Sequence, residues 1–225
     1  MLALIAIKLL SAQDQTWGDI RADLQKPWPQ NHEFRIVCHG HSVPAGYFVT
    51  PKVDTFNAYP HLLHRDLKQE FPNAVINVVV TAIGGENSVQ GEKRFIEDVM
   101  SLKPRVVTID YALNDRGIPL ERCRAAWQSM ITIARKGNSK VILLTPTPDL
   151  TAKMLNPDDP LSQRAMMIRE LAKVNQVALA DSYSAFTDLM KDGETLDSCM
   201  SQFNHPNRKG HEVVARKLAE VFVAK

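Results

Sequence analysis

The chain has 225 residues, enough for one large α/β domain, and its 44% hydrophobic content can fill a sizeable core. Its 27 basic and 25 acidic residues are interspersed and leave a net charge of +2, which excludes a polyanion-binding signature and so argues against nucleic acid or anionic membranes as partners. Cys38, Cys123 and Cys199 are widely spaced, odd in number and outside any Cys-x-x-Cys pattern, so neither a disulfide framework nor a structural zinc is expected.

Residues 1–10 are apolar apart from Lys8. The start is uncharged, and the best cleavage position, after Ala12, has Leu10 two places earlier, which departs from a secretory signal. The run is also too short to span a bilayer. The expectation is therefore a chain without a stable membrane anchor, with a cytoplasmic location favoured over export. Residues 14–33, containing Lys26-Pro27-Trp28-Pro29, read as an irregular leader packed on the domain, which gives a division into 1–33 and 34–225.

Five short runs rich in Val and Ile follow, at 34–38, 75–83, 105–112, 140–145 and 177–181, and read as buried parallel strands. Helical patterns lie between them. Ala58 to Glu70 puts Tyr59, Leu62, Leu63 and Leu67 on one face before Pro72 ends it. Val89 to Leu102, Leu120 to Arg135, Pro160 to Asn175 and Gly210 to Val223 behave likewise. This alternation predicts an α/β fold: a three-layer α/β/α sandwich around a flavodoxin-like, doubly wound sheet of about five parallel strands. The long loop from Pro146 to Pro160 follows the fourth strand and should overhang the edge where the strands end.

Four motifs fall at that edge or just before the last helix. Gly40-His41-Ser42 follows the first strand, where Gly40 is free to take φ > 0 and Ser42 can expose its hydroxyl and its own N–H. Taken alone, a serine after a strand is far more often a turn or cap serine, and Ser42 can be read so. Gly84-Gly85 follows the second strand and lets backbone N–H groups approach a ligand. Asn114-Asp115 ends the third strand, where an asparagine amide can donate to a developing oxyanion; the plainer reading is a turn with Asp115 as cap. In Phe203-Asn204-His205-Pro206-Asn207, Pro206 fixes the chain after a histidine as it enters the final helix. His211, six residues on, reads as structural. His39-x-His41 and His61-x-x-His64 lack the further ligands a metal site needs, so no metal is expected.

The order Gly-x-Ser, Gly, Asn-Asp, His-Pro resembles the GDSL/SGNH hydrolase superfamily of esterases and lipases, from about Phe34 to the C-terminus. The resemblance implies a serine-dependent ester hydrolase that needs no cofactor. Ser42 would be the nucleophile and His205 its base, with an oxyanion hole made by the N–H groups of Ser42 and Gly85 and the Asn114 amide. Three positions depart from the family pattern. His41 replaces the aspartate of Gly-Asp-Ser, and Ala112 replaces a glycine. Gln202 stands where the family has an aspartate, three residues before the histidine. A glutamine oxygen could accept from His205 Nδ1–H without bringing a charge; Asp197 or a backbone carbonyl could also serve. In a serine protease, an amide in place of the triad aspartate cost about 10⁴ in kcat.

The substrate class implied is a short-chain acyl ester, O-acetylated carbohydrates included, while thioester and lysophospholipid hydrolysis share the same chemistry. No extended apolar lid is visible, which disfavours a long-chain lipase. The competing class is a non-catalytic glycan- or ligand-binding protein on the same scaffold, with Gln202 as the sign of lost catalysis. A nucleotide binder would need a phosphate-cradling Gly-rich turn after the first strand, and Gly-His-Ser-Val-Pro-Ala-Gly stands there instead. Oligomeric state is left open by the sequence.

Overall fold

The computed structural model describes residues 17–223; the apolar segment 1–10 and the Ala12 position lie outside them. Five strands, β1 (Glu33–Gly40), β2 (Val75–Val80), β3 (Val106–Asp110), β4 (Lys140–Leu144) and β5 (Ala178–Ala180), form one parallel sheet in the order β2-β1-β3-β4-β5. The central strands read as continuous apolar runs because both of their faces are covered. Side chains alternate between two cores. Phe34, Ile36 and Cys38 of β1 join Ile142 and Leu144 of β4 on one face, while Val37, Val107, Ile109, Val141 and Leu143 point to the other.

The first face is covered by α1 (residues 17–24), α3 (Tyr59–Glu70) and α8 (Arg208–Val223), and the second chiefly by α5 (Leu120–Lys136). α6 (Pro160–Asn175) contributes Leu161 and Ala165 to the first core and Ile168 and Leu171 to the second. α1 corrects the expectation of an irregular leader. Ile20 and Leu24, four apart on one helical face, are buried in the core, and the Trp17 ring meets Phe222 edge-on at 5.4 Å.

Three further elements depart from the expected pattern. The helix expected from Val89 to Leu102 begins as α4 (Ser88–Arg94), with Asn87 in a capping box with Gln90. It then loosens into a π turn (Phe95–Val99) and a 3-10 turn (Met100–Leu102), with Phe95 and Val99 both directed inward. α7 (Ser182–Lys191) was not visible as a separate period; Asp181 caps it through Ser184 N–H. The segment before α8 holds a small antiparallel pair, β6 (Met200–Gln202) and β7 (His205–Pro206), rather than an open loop.

In a sheet of this order, the connection leaving β1 runs to β2 and the connection leaving β3 runs the opposite way to β4, so a crevice opens beyond the C-terminal ends of β1 and β3. Gly40-His41-Ser42 and Asn114-Asp115 lie at that switch point. No helix among the described residues is long and apolar enough to cross a membrane.

Candidate active site

Ser42 is the first residue of α2 (Ser42–Ala45), a single turn capped by the side chain of His41 and closed by Gly46 at φ +89°. This position leaves the Ser42 N–H among the orphan donors of a helix start. Gly40 is required here for a reason different from the one expected. It does not take φ > 0; a Cβ on it would collide with the Asp110 carbonyl and sit 2.8 Å from Pro44 Cγ.

His205 is delivered by the β6–β7 pair, 163 positions from Ser42, and its Nε2 lies 3.0 Å from Ser42 Oγ. Both residues are 6% exposed. Asn207 anchors the hairpin to α8: its amide donates to the Ser198 and Met200 carbonyls, and its oxygen accepts from Gly210 N–H. Burial lowers the His205 pKa below the usual histidine value; the Phe48 carbonyl opposes that shift, and nearby His41 adds to it.

The Nδ1 side of His205 departs from the expectation for Gln202. The Gln202 oxygen does not accept from Nδ1–H. It accepts from Thr50 N–H at 3.0 Å and from Thr50 Oγ1 at 3.2 Å, and the Gln202 amide nitrogen donates to Asn204 Oδ1 at 3.0 Å. These three partners fix the amide orientation, because the opposite flip would set donor against donor at Thr50 N–H. The Phe48 carbonyl, 2.9 Å from Nδ1, is the acceptor for Nδ1–H. A carbonyl can only accept, so it favours the tautomer with a proton on Nδ1 and a lone pair on Nε2 facing Ser42. The Gln202 nitrogen lies 2.7 Å from the same Nδ1 and favours the other tautomer. Asp197 sits exposed on the 3-10 turn Leu196–Cys199.

The second and third motifs also meet. Gly85 takes φ +81°, with open space where its Cβ would be. Asn114 Nδ2 donates one hydrogen to the Glu86 carbonyl at 2.8 Å and keeps another. Asp115 is a fully buried brace, beyond the turn role expected for it. It accepts from Ser88 N–H and Trp127 Nε1–H, both at 2.8 Å, and so fastens the Gly84-Gly85 loop to β3 and α5. Behind this loop, Tyr111 OH lies 2.9 Å from His39 Nε2 and donates to Glu86, whose carboxylate is held by Arg94.

Exposed apolar side chains, Tyr47, Leu150 and Phe203, occur on the segments around the site. Tyr47 packs over Gly84, with its ring 5.9 Å from that of His205. The loop after β4 reaches the same edge, as expected: Leu150 N–H donates to the Phe203 carbonyl, and buried Asp149 pairs with Arg116 at 2.6 Å. Sequence reasoning did not single out Tyr47, Phe48 or Asp110. A backbone carbonyl leaves no mark in a sequence. Asp110, a carboxylate at the end of a run predicted to be buried on both faces, was a signal.

The profile of the GDSL-like Lipase/Acylhydrolase family matches residues 38–213. No curated protein matches the sequence. Among solved structures, the acetylxylan esterase Axe2 from Geobacillus stearothermophilus superposes with a TM-score of 0.73 at 20% identity, covering 85% of this chain and 95% of that one. A catalytic mutant of Axe2 altered at a histidine gives 0.73 at 21% identity with the same coverage. A G-D-S-L family protein from Desulfitobacterium hafniense DCB-2 gives 0.67 at 24% identity, covering 83% of this chain and 98% of that one. The likeness to these structures is one of fold, and the profile match spans most of the chain. The chain belongs to the GDSL-like lipase/acylhydrolase family and is a carboxylic ester hydrolase of that type.

Proposed function

We propose that this ester hydrolase forms an acyl-enzyme on Ser42, uses His205 as its base, and acts on short-chain acyl esters, O-acetylated carbohydrates foremost. The observation that carries the reading is the 3.0 Å contact between Ser42 Oγ and His205 Nε2, with the Phe48 carbonyl on Nδ1. His205 takes the hydroxyl proton as Ser42 Oγ attacks the ester carbonyl. Charge on the carbonyl oxygen is met by the N–H groups of Ser42 and Gly85 and the free hydrogen of the Asn114 amide. His205 then protonates the departing alcohol, and water repeats the sequence on the acyl-enzyme. The Phe48 carbonyl orients the imidazole without bringing a charge, so it favours the tautomer with a lone pair on Nε2, against the Gln202 nitrogen, but does little to stabilise the imidazolium. Gln202 acts on the catalytic histidine through the Thr50 loop and its own nitrogen rather than as a charge partner.

The substrate class rests on two supports. The first is the fold likeness to an acetylxylan esterase. Catalytic mutants of that enzyme replace a serine, an aspartate and a histidine, the last two three positions apart, the same spacing as Gln202 and His205 here. The second is Tyr47, an exposed ring beside His205 that offers a flat face to a sugar. In the same proposal residues 34–225 form the catalytic domain, and residues 1–33 a leader whose Ile20 and Leu24 enter its core.

The test is fluorophosphonate labelling of the purified protein beside Ser42→Ala, with p-nitrophenyl acetate hydrolysis and acetate release from acetylated xylo-oligosaccharides on both samples. Labelling and turnover that vanish in the variant are expected. A folded wild type that takes no label would instead favour a ligand-binding protein on the same scaffold.

A further inference from the structure

Ser42 Oγ has a second imidazole beside it. His41 Nδ1 lies 3.5 Å from that oxygen and accepts from Val43 N–H at 3.3 Å. Because Nδ1 accepts, the His41 proton sits on Nε2, which lies 3.4 Å from Asp110 Oδ1. His41 is 0% exposed and Asp110 1%. The contact is at an ion-pair distance and is not a hydrogen bond: neither His41 Nε2 nor Asp110 Oδ1 has a hydrogen-bond partner among the described residues, and the two orphaned atoms face each other. The other Asp110 oxygen accepts from Tyr59 OH at 3.1 Å. Asp110 is the last residue of β3, in register with Gly40, so the sheet itself brings the carboxylate under the Gly40-His41-Ser42 turn. A carboxylate buried this completely is costly unless something faces it, and among the described residues His41 Nε2 and Tyr59 OH lie against its oxygens.

We propose that His41 and Asp110 are positioning residues for ester hydrolysis, a second histidine–carboxylate pair that keeps the Ser42 oxygen nucleophilic. The inference rests on Ser42 acting as the nucleophile. Its physical content is a choice of tautomer. With Asp110 ionised, the His41 proton stays on Nε2 and a lone pair faces Ser42 Oγ. In the opposite tautomer an Nδ1–H would hydrogen-bond to Oγ, occupy the lone pair that must attack the ester, and release the Val43 N–H that caps α2. The carboxylate missing from position 202 therefore has a counterpart on the serine side of the site, acting through a different histidine.

Long-range ¹H–¹⁵N spectra of the imidazoles in the wild-type protein read the His41 tautomer directly, with no substitution. The expected result is a proton on Nε2; a proton on Nδ1 overturns the proposal. Asp110→Asn presents an amide hydrogen to His41 Nε2 and should move the proton to Nδ1. Its kcat should fall about ten- to a hundredfold, with KM within about twofold. Adding His41→Asn to that variant keeps a side-chain acceptor for Val43 N–H and removes the offending N–H, so part of the lost kcat should return. Wild-type kcat in folded Asp110→Asn, or no recovery in the double variant, overturns the proposal. Ser42→Ala is run alongside: activity surviving in that variant means that the nucleophile assignment has failed, whereas its loss with an unaffected Asp110→Asn means that only the second pair has.

Discussion

In the proposed mechanism, with His205 as the base, replacing Gln202 with glutamate converts the group that opposes the catalytic tautomer into one that supports it. Glutamate has the shape of glutamine, so one carboxylate oxygen can keep the Thr50 N–H bond of 3.0 Å while the other takes the nitrogen's place 2.7 Å from His205 Nδ1. Aspartate, the residue implied by the family pattern, is one methylene shorter and cannot reach both. Two unit charges about 4 Å apart at an effective dielectric of 20 attract by about 4 kcal/mol, and desolvation of the half-buried carboxylate removes a large part of this. A rise of about 1 to 2 units in the His205 pKa remains, within the range seen for opposite charges in contact. His205 starts below the ordinary value of 6.5.

The sign follows from the base being the neutral imidazole. Activity rises with pH through the His205 pKa, so the wild type should hold its rate into mildly acid conditions. Gln202→Glu should move the acid limb of kcat/KM upward by about 1 to 2 units and raise the alkaline plateau of kcat by about tenfold, the rate equivalent of one pKa unit of imidazolium stabilisation. The assay is p-nitrophenyl acetate hydrolysis from pH 4.5 to 9 on both proteins, with unfolding temperatures measured in parallel. A variant as stable as the wild type but with an unmoved acid limb and plateau would refute the reasoning. Either His205 would not be the titrating base, or position 202 would not touch it in solution.

Acid should unfold the protein early. Burial lowers the pKa of His39 to about 4 and of His211 to about 3, so both are neutral in the folded chain. Their contribution is complete above pH 6.5 and is lost as pH falls from there toward 4 and 3, by about 1.4 kcal/mol per pH unit for each histidine. Urea midpoints at pH 7, 5.5 and 4.5 measure the slope, and His211→Asn, which can still accept from Tyr59 N–H, should flatten it; an unchanged slope would exclude His211 as a cause. Gly91→Ala would drive a methyl into the Tyr111 ring, with a stability cost of about 1 to 3 kcal/mol read from denaturant unfolding and looser Gly84-Gly85 geometry read as lost kcat. Gly85→Ala has room for its methyl but not the backbone freedom, since φ is +81°; about 1 to 2 kcal/mol of strain should appear as lost kcat or as lost stability. Tyr47→Ala should raise KM for an acetylated oligosaccharide about fivefold, the worth of one aromatic contact, and leave KM for p-nitrophenyl acetate nearly unchanged. Equal changes for the two substrates would exclude Tyr47 as a sugar platform.

Strands of this kind are legible because burial on both faces forces continuous Val and Ile runs, and β1, β3 and β4 show them. The helix at 17–24 was harder to read, since its two core residues, Ile20 and Leu24, lie among charged neighbours and just before the Pro27-Trp28-Pro29 segment. α7 was missed because it follows β5 after a single residue, which left no separate period to see. The Ser42, Gly85, Asn114 and His205 positions could be picked out because each sits where a strand stops or a helix starts, and such places carry their own local chemistry.

The sequence by itself determined the alternation of strands and helices, and with it the edge at which the motifs would gather. It could not determine what each motif touches there. His205 Nδ1 meets a carbonyl 157 positions away, a contact set by backbone shape that any residue at position 48 could make. The Gln202 oxygen turns to Thr50, 152 positions away, and accepts from both its N–H and its hydroxyl. Asp110 gains its meaning only from the register of β1 on β3, which sets it beneath the Gly40-His41-Ser42 turn. Local pattern encodes which residues leave water. Which polar atoms then face one another is decided by the pairing of strands and the seating of loops, because each buried donor must find its acceptor across the sheet rather than along the chain.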